Sequence, residues 1–489
     1  MTITISDETA NPLQEGWDHK IIAGKAVRGA LALFLRQAGV HGANAIGAVF
    51  LARLLSPADF GLYAIVFFVL AFSVTFGGTG LAANLIRQHS EPSDLEYRSV
   101  FAVQQVFVWT IAVVIWLLSP WINTVYHLPG PDVWVFRFVA LSFLLTSFMV
   151  VPQVQMERGL AFDKLAIIEA VQAFIFNVVA VLFAWKGYAG FSFALALALR
   201  SLAGVVLAYK FNPWSISWAW DWHAARTHLA FGFYYQAGQI VNLAKDMISP
   251  VFVGIVIGTA AVGYINWTCS FANYPVIVLM MLNRLYLPAF SRLAHVPVQM
   301  RRAVEIVVSL LGGFVFTLSA VMYVFRHQLI VAIFGEKWLT AMPLFLPMIL
   351  INILLMPALV GINALNALGQ SKFVLKVMAL WTVSTWVLGP VFITLYGWQA
   401  WGWINLAVHT STVLVLIRLH KTLGIDWLRA LSRPLLVAAG CLASAQLALL
   451  AGAHWIPSLI CSAAVGVGGV FLFLKGELLQ MRRALSFAN

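Results

Sequence analysis

The stretch Leu51-Ala52-Arg53-Leu54-Leu55-Ser56-Pro57-Ala58-Asp59-Phe60-Gly61-Leu62-Tyr63-Ala64 joins two long apolar segments near the beginning of the chain. Each segment is long enough for a membrane-crossing helix, which takes roughly 20 apolar residues. Such segments recur along all 489 residues, of which 62% are hydrophobic and 10% charged. Soluble globular chains have about 45–50% apolar and about 25% charged residues. Because a helix satisfies its own backbone hydrogen bonds in lipid, the sequence predicts an all-α integral membrane protein.

Fourteen transmembrane helices are predicted from the apolar segments. They begin near Ala30, Phe60, Ser99, Val133, Leu165, Gly190, Leu229, Ala261, Ala303, Met342, Phe373, Trp401, Pro434 and Ile456. The segment from Ala261 to Phe290 fits one kinked helix and is too short for two. The longest connections, about Lys210 to His228 and Pro288 to Arg302, are too short for a folded extramembrane domain. The function is therefore expected to take place within the membrane.

Basic residues are distributed unevenly between the two predicted sides. With the N-terminus inside, 22 of the 30 Lys and Arg residues fall inside. Four fall outside, namely Arg53, Lys186, Arg326 and Lys337, and the four within spans are Arg36, Arg137, Arg200 and Lys245. This bias predicts a multi-pass membrane protein with both termini in the cytoplasm. The net charge of +12 thus reflects topology, and we expect no nucleic-acid partner.

Sequence signals of catalysis, metal binding and secretion are not found. The chain has no H-E-x-x-H, G-x-S-x-G or P-loop motif, so we predict no enzyme activity, no catalytic residue and no metal site. The three cysteines are widely separated within apolar segments and predict packing rather than redox chemistry. Met1 to Gly16 contains acidic residues and no basic residue, unlike a cleaved signal peptide.

An internal repeat divides the predicted bundle. Gln37-Ala38-Gly39 matches Gln236-Ala237-Gly238, and Ser56 to Tyr63 aligns with Gly258 to Tyr264. Two six-helix lobes of like orientation explain this match. We expect a cytoplasmic tail over 1–25, lobes over 26–212 and 213–425, and two additional helices with a short tail over 426–489. Trp214 to Trp222 predicts an interfacial amphipathic connection between the lobes.

Polar side chains recur on one face of particular predicted helices, and buried polar groups in a membrane normally face a cavity or another helix. The candidate substrate-binding residues are Arg36, Gln37, His41 and Asn44 in the first helix, Arg200 in the sixth, Gln236, Gln239, Asn242, Lys245 and Asp246 in the seventh, and Asn266 and Asn273 in the eighth. Cationic side chains attract anionic groups, and amides both donate and accept hydrogen bonds. We expect these residues to line a cavity between the lobes.

Structural explanations stay open for several of these residues. Arg36 either contacts phosphate or extends toward the headgroups, and Arg200 either faces the cavity or bonds to neighbouring helices. Lys245 and Asp246 either act on substrate or a coupling ion, or form structural ion pairs. His41 either carries a coupling proton or bonds a neighbour.

The stretch 51–64 is followed by Gly80-Leu81-Ala82-Ala83-Asn84-Leu85-Ile86-Arg87-Gln88, and two later landmarks are Pro152 to Glu169 and Leu365-Asn366-Ala367-Leu368-Gly369-Gln370. Together they closely resemble the bacterial polysaccharide transporter family, the O-antigen and exopolysaccharide flippases. The resemblance covers roughly 25–425. It implies the two-lobe fold of the multidrug and oligosaccharidyl-lipid exporters, with a cavity between lobes and alternating access.

The substrate implied by this resemblance is a polyprenyl-pyrophosphate-linked oligosaccharide, moved to the outer leaflet for lipopolysaccharide or exopolysaccharide assembly. Membrane lipids and the polymerase and glycosyltransferases of that assembly are its expected partners. No cofactor is expected, and coupling to H⁺ or Na⁺ stays open. The alternatives are a cation-coupled multidrug exporter, which needs carboxylates in its cavity, and a membrane polymerase or ligase, which needs a large outer loop. The cavity helices carry one carboxylate, Asp246, and no outer loop is large.

Overall fold

The computed structural model describes residues 39–77, 85, 86, 88, 90–219, 240, 243–473 and 476. These residues form helices and connections, with no β-strand among them. Eleven helical stretches of the described chain are long and apolar enough to cross a membrane. The predicted all-α membrane fold is therefore confirmed.

The eleven stretches coincide with every predicted span except the first, seventh and eighth. The first begins before the described residues, and most of the seventh lies outside them. The eighth is divided at Asn273, where one helix ends and Tyr274-Pro275 begins the next. The total of fourteen accordingly stays a prediction.

The helices are labelled in chain order. They are α1 (39–54), α2 (Pro57–Gly77), α3 (Asp94–Val125), α4 (Val133–Ser147), α5 (Val150–Arg158), α6 (Phe162–Trp185), α7 (Ala189–Phe211), α8 (Thr259–Ala272), α9 (Tyr274–Leu293), α10 (Pro297–Val324), α11 (Phe345–Ala367), α12 (Ser371–Tyr396), α13 (Ala400–Thr410), α14 (Val413–Leu423), α15 (Trp427–Leu450) and α16 (Trp455–Phe473). Short π-helical turns cover Ile248–Val253 and Ile330–Phe334, and a 3₁₀ segment covers Glu336–Leu344.

The structure adds detail to two predicted connections, one of which is shorter than expected. The segment from Pro288 to Arg302 is mostly helical, because α9 continues to Leu293 and α10 begins at Pro297. Residues 213–219 of the Trp-rich connection have no regular secondary structure. Within that connection Trp214 packs edge-on against Phe101 of α3, with ring centroids 5.2 Å apart. The aromatic ring thus anchors this segment to the bundle.

The start of α2 shows why Ser56-Pro57-Ala58-Asp59 turns the chain. Asp59 accepts hydrogen bonds from the Ser56 backbone N–H at 2.9 Å and from its hydroxyl at 2.6 Å. The Asp59 N–H in turn donates to the Ser56 hydroxyl at 3.3 Å. This reciprocal pairing satisfies backbone donors that a helix start leaves free, and Pro57 stands at the first helical position, where its missing N–H costs nothing. The four residues therefore end one membrane crossing and begin the next.

Helices α2 and α8 cross at very short range through two glycines of the aligned repeat segments. A Cβ added to Gly61 would lie 1.8 Å from the Thr259 carbonyl oxygen. One added to Gly263 would lie 1.8 Å from the Pro57 carbonyl oxygen. Any larger residue at either position forces the helices apart, so this backbone contact depends on glycine.

Other helix pairs build the walls around this crossing. In the N-terminal half α7 packs against both α4 and α6, and α3 packs against α4. In the C-terminal half α10 packs against α11 and α15, and α15 packs against α16. A continuous buried apolar core runs through both halves and includes Phe136, Phe193, Trp267 and Phe345.

Candidate functional site

A cavity of about 370 Å³ lies between α1 and α2 on one side and α8 and α9 on the other. Helices α6 and α7 complete its wall. The described lining residues are His41, Asn44, Ala45, Ala48, Leu51, Phe60, Tyr63, Phe67, Phe176, Asn177, Arg200, Asn266, Trp267, Ser270, Phe271, Asn273, Tyr274, Ile277 and Phe334. We call it the central cavity. Its mixture of aromatic rings with a few amide and hydroxyl groups is typical of a small-molecule site.

Five of the predicted site residues meet in the central cavity: His41, Asn44, Arg200, Asn266 and Asn273. They come from α1, α7, α8 and the turn after α8, so the structure brings together polar side chains that are up to 232 positions apart in the sequence. This arrangement is the one that the polar faces of the first and eighth predicted helices indicated.

The other seven predicted site residues are not among the described lining residues of the cavity. Arg36, Gln37, Gln236, Gln239 and Asn242 lie outside the described residues. Lys245 and Asp246 are not among the described residues that line the cavity. Their side chains instead form an ion pair with each other, with Lys245 Nζ 2.8 Å from Asp246 Oδ1. The backbone carbonyl of the preceding Ala244 accepts a hydrogen bond from Trp386 of α12 at 2.7 Å, so this segment packs on the C-terminal half.

Asn177 and Ser270 are cavity residues that the sequence analysis missed. Asn177 of α6 donates to the Asn44 side-chain oxygen at 2.8 Å and to the Ala173 carbonyl at 2.8 Å. It therefore connects α6 to α1 across the cavity wall. The available signal was an amide in a strongly apolar span with no polar residue three or four positions away, and such a position normally faces the bundle interior. A search for polar stripes overlooks such isolated residues.

The charge of the central cavity is simple. Among its described lining residues Arg200 carries the one formal charge when histidine is neutral, and no carboxylate is present. The Arg200 side chain is half-buried and lines the cavity from α7. Its position beside amides and aromatic rings, in a medium of low dielectric constant, strengthens its attraction for an anion.

The central cavity is open at one end and closed at the other. His41, Asn44 and Asn273 are exposed, whereas Leu51, Ala52 and Leu55, further along α1, are buried. The exposed residues lie near the start of α1, on the side that the charge distribution places inside. The buried residues lie near the glycine crossing of α2 and α8, on the side that the charge distribution places outside. The exposed residues of the cavity therefore lie toward the predicted cytoplasm, and the buried residues lie toward the predicted outer side.

Two basic side chains tie the halves together at the closed end. Lys337 Nζ donates to the carbonyl oxygens of Arg53 at 2.8 Å and Leu55 at 2.7 Å. Arg53 Nε donates to the Ile333 carbonyl at 2.7 Å, and its Nη2 donates to the Ala332 carbonyl. The last carbonyls of a helix lack hydrogen-bond partners within it and carry the negative end of its dipole. A cationic side chain beside them supplies a donor and also compensates this negative charge. Arg53 and Lys337 were two of the four basic residues predicted outside.

Trp338 completes this contact. Its indole Nε1 donates to the Ala52 carbonyl at 3.0 Å, and its side chain is fully buried. The Trp338 ring stacks on Trp267 with centroids 4.7 Å apart and meets Phe60 edge-on at 5.2 Å. We call Arg53, Lys337, Trp338 and the carbonyls to which they donate the outer clasp.

Gly335 shapes the outer clasp, and Tyr126 makes a separate buried hydrogen bond. The positive φ of 99° at Gly335 turns the chain between the π-helical turn and the 3₁₀ segment, which directs Lys337 and Trp338 toward the end of α1. Tyr126, just after α3, donates from its hydroxyl to the Pro250 carbonyl at 3.1 Å. Burial raises the pKa of Tyr126 to about 12, so this hydroxyl keeps its proton at physiological pH.

No group of three or more metal-ligating side chains occurs in the described part of the chain. The described lining of the central cavity offers one cation, several amides and aromatic rings.

Comparison with known proteins identifies relatives along most of the chain. A model of the family described as polysaccharide biosynthesis protein matches residues 50–343. The succinoglycan biosynthesis transport protein ExoT of Rhizobium meliloti is 24% identical over 93% of this chain and 94% of its own length. The lipopolysaccharide biosynthesis protein WzxC of Escherichia coli is 23% identical over 65% of each chain.

Solved structures share the fold. The lipid II flippase MurJ in an inward closed conformation has a TM-score of 0.70 at 10% identity, over 91% of this chain and 99% of MurJ. An inward-facing transporter of the multidrug resistance MATE family has a TM-score of 0.61 at 12% identity, over 81% of this chain and 97% of its own. At these identities the likeness concerns the fold alone.

Proposed function

The chain belongs to the polysaccharide biosynthesis protein family, and from that membership we propose that it is a flippase for polyprenyl-pyrophosphate-linked oligosaccharide repeat units. It moves them across the bacterial inner membrane by alternating access, for assembly of lipopolysaccharide or exopolysaccharide. The names of ExoT and WzxC support the pathway, since both are named for polysaccharide biosynthesis. The fold that it shares with MurJ supports a flippase scaffold.

The composition of the central cavity is the observation that carries this proposal. A pyrophosphate needs a cation and a sugar needs groups that both donate and accept hydrogen bonds. Arg200 supplies the first, and Asn44, Asn177 and Asn266 supply the second. A multidrug exporter that takes cations would place carboxylates there, and the described lining residues include none. The second candidate, a cation-coupled multidrug exporter, therefore has the weaker support.

The outer clasp supports the alternating-access part of the proposal. The cavity opens at the level of His41 and Asn44, and the clasp and the glycine crossing of α2 and α8 close the other end. This is the arrangement of a transporter that loads its substrate from the cytoplasm. Breaking the clasp and separating α2 from α8 would release the sugar and pyrophosphate on the outer side. The prenyl tail stays in lipid throughout.

The proposed topology, with both termini in the cytoplasm, requires α10 to cross the bilayer. This helix extends for 28 residues, so its ends lie about 42 Å apart along its axis. Arg301 and Arg302 lie near its beginning, and the clasp residue Lys337 follows its end. Of these, the first two were predicted inside and Lys337 outside. The hydrophobic bundle between them is long enough for a bilayer.

The test is the fate of the lipid-linked sugar in a deletion mutant. The mutant is expected to lose surface polysaccharide and accumulate lipid-linked oligosaccharide in the inner leaflet, and the wild-type gene should restore both. Arg200→Gln should fail to restore export, whereas Arg200→Lys, which keeps the charge, should restore part of it. Lys186→Gln, an exposed change outside the cavity, is the control. Normal polysaccharide in the deletion mutant, together with altered resistance to toxic cations, would favour the multidrug exporter instead.

A further inference from the structure

A second cavity, of about 340 Å³, lies where the N-terminal ends of α10 and α15 meet. Its lining shares no residue with the described lining of the central cavity. The lining residues are Val298, Arg301, Arg302, Glu305, Ile306, Ser309, Arg429 and Ala430. We call it the basic groove. The charge distribution of the sequence places it on the cytoplasmic side, opposite the outer clasp.

The basic groove has an excess of positive charge that is partly fixed in place. It is lined by three arginines and a single glutamate. Arg301 Nε is 2.8 Å from Glu305 Oε1, and the same oxygen accepts from the Asp426 backbone N–H at 3.1 Å. Glu305 therefore holds the Arg301 guanidinium and the start of α15 together. The arginines of both helices face one small space, which favours a planar anion such as a phosphate.

A buried hydroxyl without a partner lies deeper in the same groove. Ser309 is 3% exposed, and its Oγ has no hydrogen-bond partner among the described residues. An unsatisfied buried hydroxyl is unfavourable, and because Ser309 also lines the groove, a ligand that enters the groove can supply the missing acceptor. Ser309 follows Glu305, the partner of Arg301, by one helical turn. The hydroxyl thus lies about 6 Å further along α10, toward the centre of the bundle.

The mouth of the groove is apolar and faces outward. Val298 at the groove edge is 79% exposed, and Leu428, next to Arg429, is 81% exposed. Further along α15, Leu436 is 62% exposed. In a membrane protein, large exposed apolar side chains beside arginines are typical of the boundary between headgroups and acyl chains. A ligand in the groove can therefore extend an apolar portion along α15.

We propose that the basic groove binds an anionic glycerophospholipid of the cytoplasmic leaflet, with its phosphate among Arg301, Arg302 and Arg429 and an acyl ester carbonyl at Ser309. In a bilayer the ester carbonyls lie deeper than the phosphate, in the same order as Ser309 and the arginines. Free phosphate satisfies the arginines and leaves the Ser309 hydroxyl without a partner. Basic pockets between helices on the cytoplasmic side are a recurrent form of lipid headgroup site.

The experiment is native mass spectrometry of the full chain in detergent, titrated with palmitoyl-oleoyl phosphatidylglycerol or with the matching phosphatidylcholine. The double variant Arg302→Gln/Arg429→Gln removes two charges from the groove. Lys372→Gln/Lys376→Gln removes two exposed charges of the same predicted side at the start of α12 and is the matched control. Ser309→Ala removes the buried hydroxyl and no charge. Inorganic phosphate is added as a competitor in a separate series.

We expect the wild type to prefer the anionic lipid and the arginine double variant to bind it about 25-fold more weakly, since each basic side chain near an anionic headgroup contributes a factor of about five. The lysine control should bind as the wild type does, and Ser309→Ala should weaken binding several-fold. Equal loss in the arginine variant and the lysine control would overturn the proposal, because the effect would then be general surface charge. Full competition by millimolar inorganic phosphate with no effect of Ser309→Ala would also overturn it, because the ligand would then be free phosphate.

Discussion

Replacing Gly263 or Gly61 with alanine should open the closed end of the central cavity. A Cβ at either position would lie 1.8 Å from a carbonyl oxygen of the opposite helix, and real Cβ atoms essentially never come closer than 3.0 Å. Helices α2 and α8 must therefore separate locally by about 1.2 Å. Overpacking of this kind costs about 1–3 kcal/mol. Because the cost falls on the outer-closed state alone, the ratio of outer-open to outer-closed protein should rise by about 5- to 150-fold.

The assay measures access to the cavity from outside intact cells. Cys269, Cys441 and Cys461 are replaced by alanine, and the exposed cavity residue Ser270 is replaced by cysteine. A membrane-impermeant maleimide should label this cysteine faster in the Gly263→Ala and Gly61→Ala variants than in the parent. Gly440→Ala is the control, because a Cβ on that helical glycine meets no described atom within 4 Å.

The result that refutes the reasoning is a labelling rate equal to that of the parent in both glycine variants, with normal amounts of folded protein in the membrane. The crossing of α2 and α8 would then not be the barrier between the cavity and the outside. Faster labelling in Gly440→Ala as well would show that any added methyl group loosens the bundle, which also contradicts the assignment.

Three further outcomes are expected. Lys337→Met keeps the apolar stem of the side chain and removes two hydrogen bonds from a charged, partly exposed donor. It should destabilise the outer-closed state by about 2 kcal/mol and therefore speed maleimide labelling of the Ser270→Cys protein. The control Lys186→Met should leave the labelling rate unchanged. Ser56→Ala removes the cap of α2 and should lower thermal stability in detergent by about 1 kcal/mol, whereas Ser215→Ala, outside the helices, should leave the melting temperature unchanged. Tyr126→Phe removes the hydrogen bond to Pro250 and should lower the free energy of unfolding by about 1 kcal/mol, equally at pH 7 and pH 9. The effect should not depend on pH in this range, because the pKa of Tyr126 is raised to about 12 and ionisation disfavours folding only above the unfolded value near 10. A stability loss that disappears at pH 9 would contradict the neutral donor.

The fold was largely predictable because lipid allows few solutions. Apolar length predicted eleven spans that the structure confirms, and the spacing of His41 and Asn44 placed both on the cavity face of α1. Helix periodicity shows which residues share a face, but it does not show what that face meets. For this reason Lys245 and Asp246 were predicted in the cavity, although each has the other as its ion-pair partner.

Contacts between distant segments were beyond the reach of the sequence. The outer clasp joins Arg53 to residues about 280 positions away through backbone carbonyls, which every residue possesses and no pattern marks. Asn177 was missed because one amide makes no stripe, and its partner Asn44 lies 133 positions away. The aligned segments around Gly61 and Gly263 were found as a repeat, yet their direct contact became evident only in three dimensions.

The acceptors of the outer clasp have a consequence for how this protein tolerates mutation. Arg53, Lys337 and Trp338 all donate to main-chain oxygens, at Ala52, Arg53, Leu55, Ala332 and Ile333. A point substitution cannot remove a main-chain oxygen. The side chains on the receiving side can therefore drift while the joint persists, and the genetic vulnerability of the joint is concentrated in its three donors. A joint of this kind can diverge widely in sequence and still form in the same place.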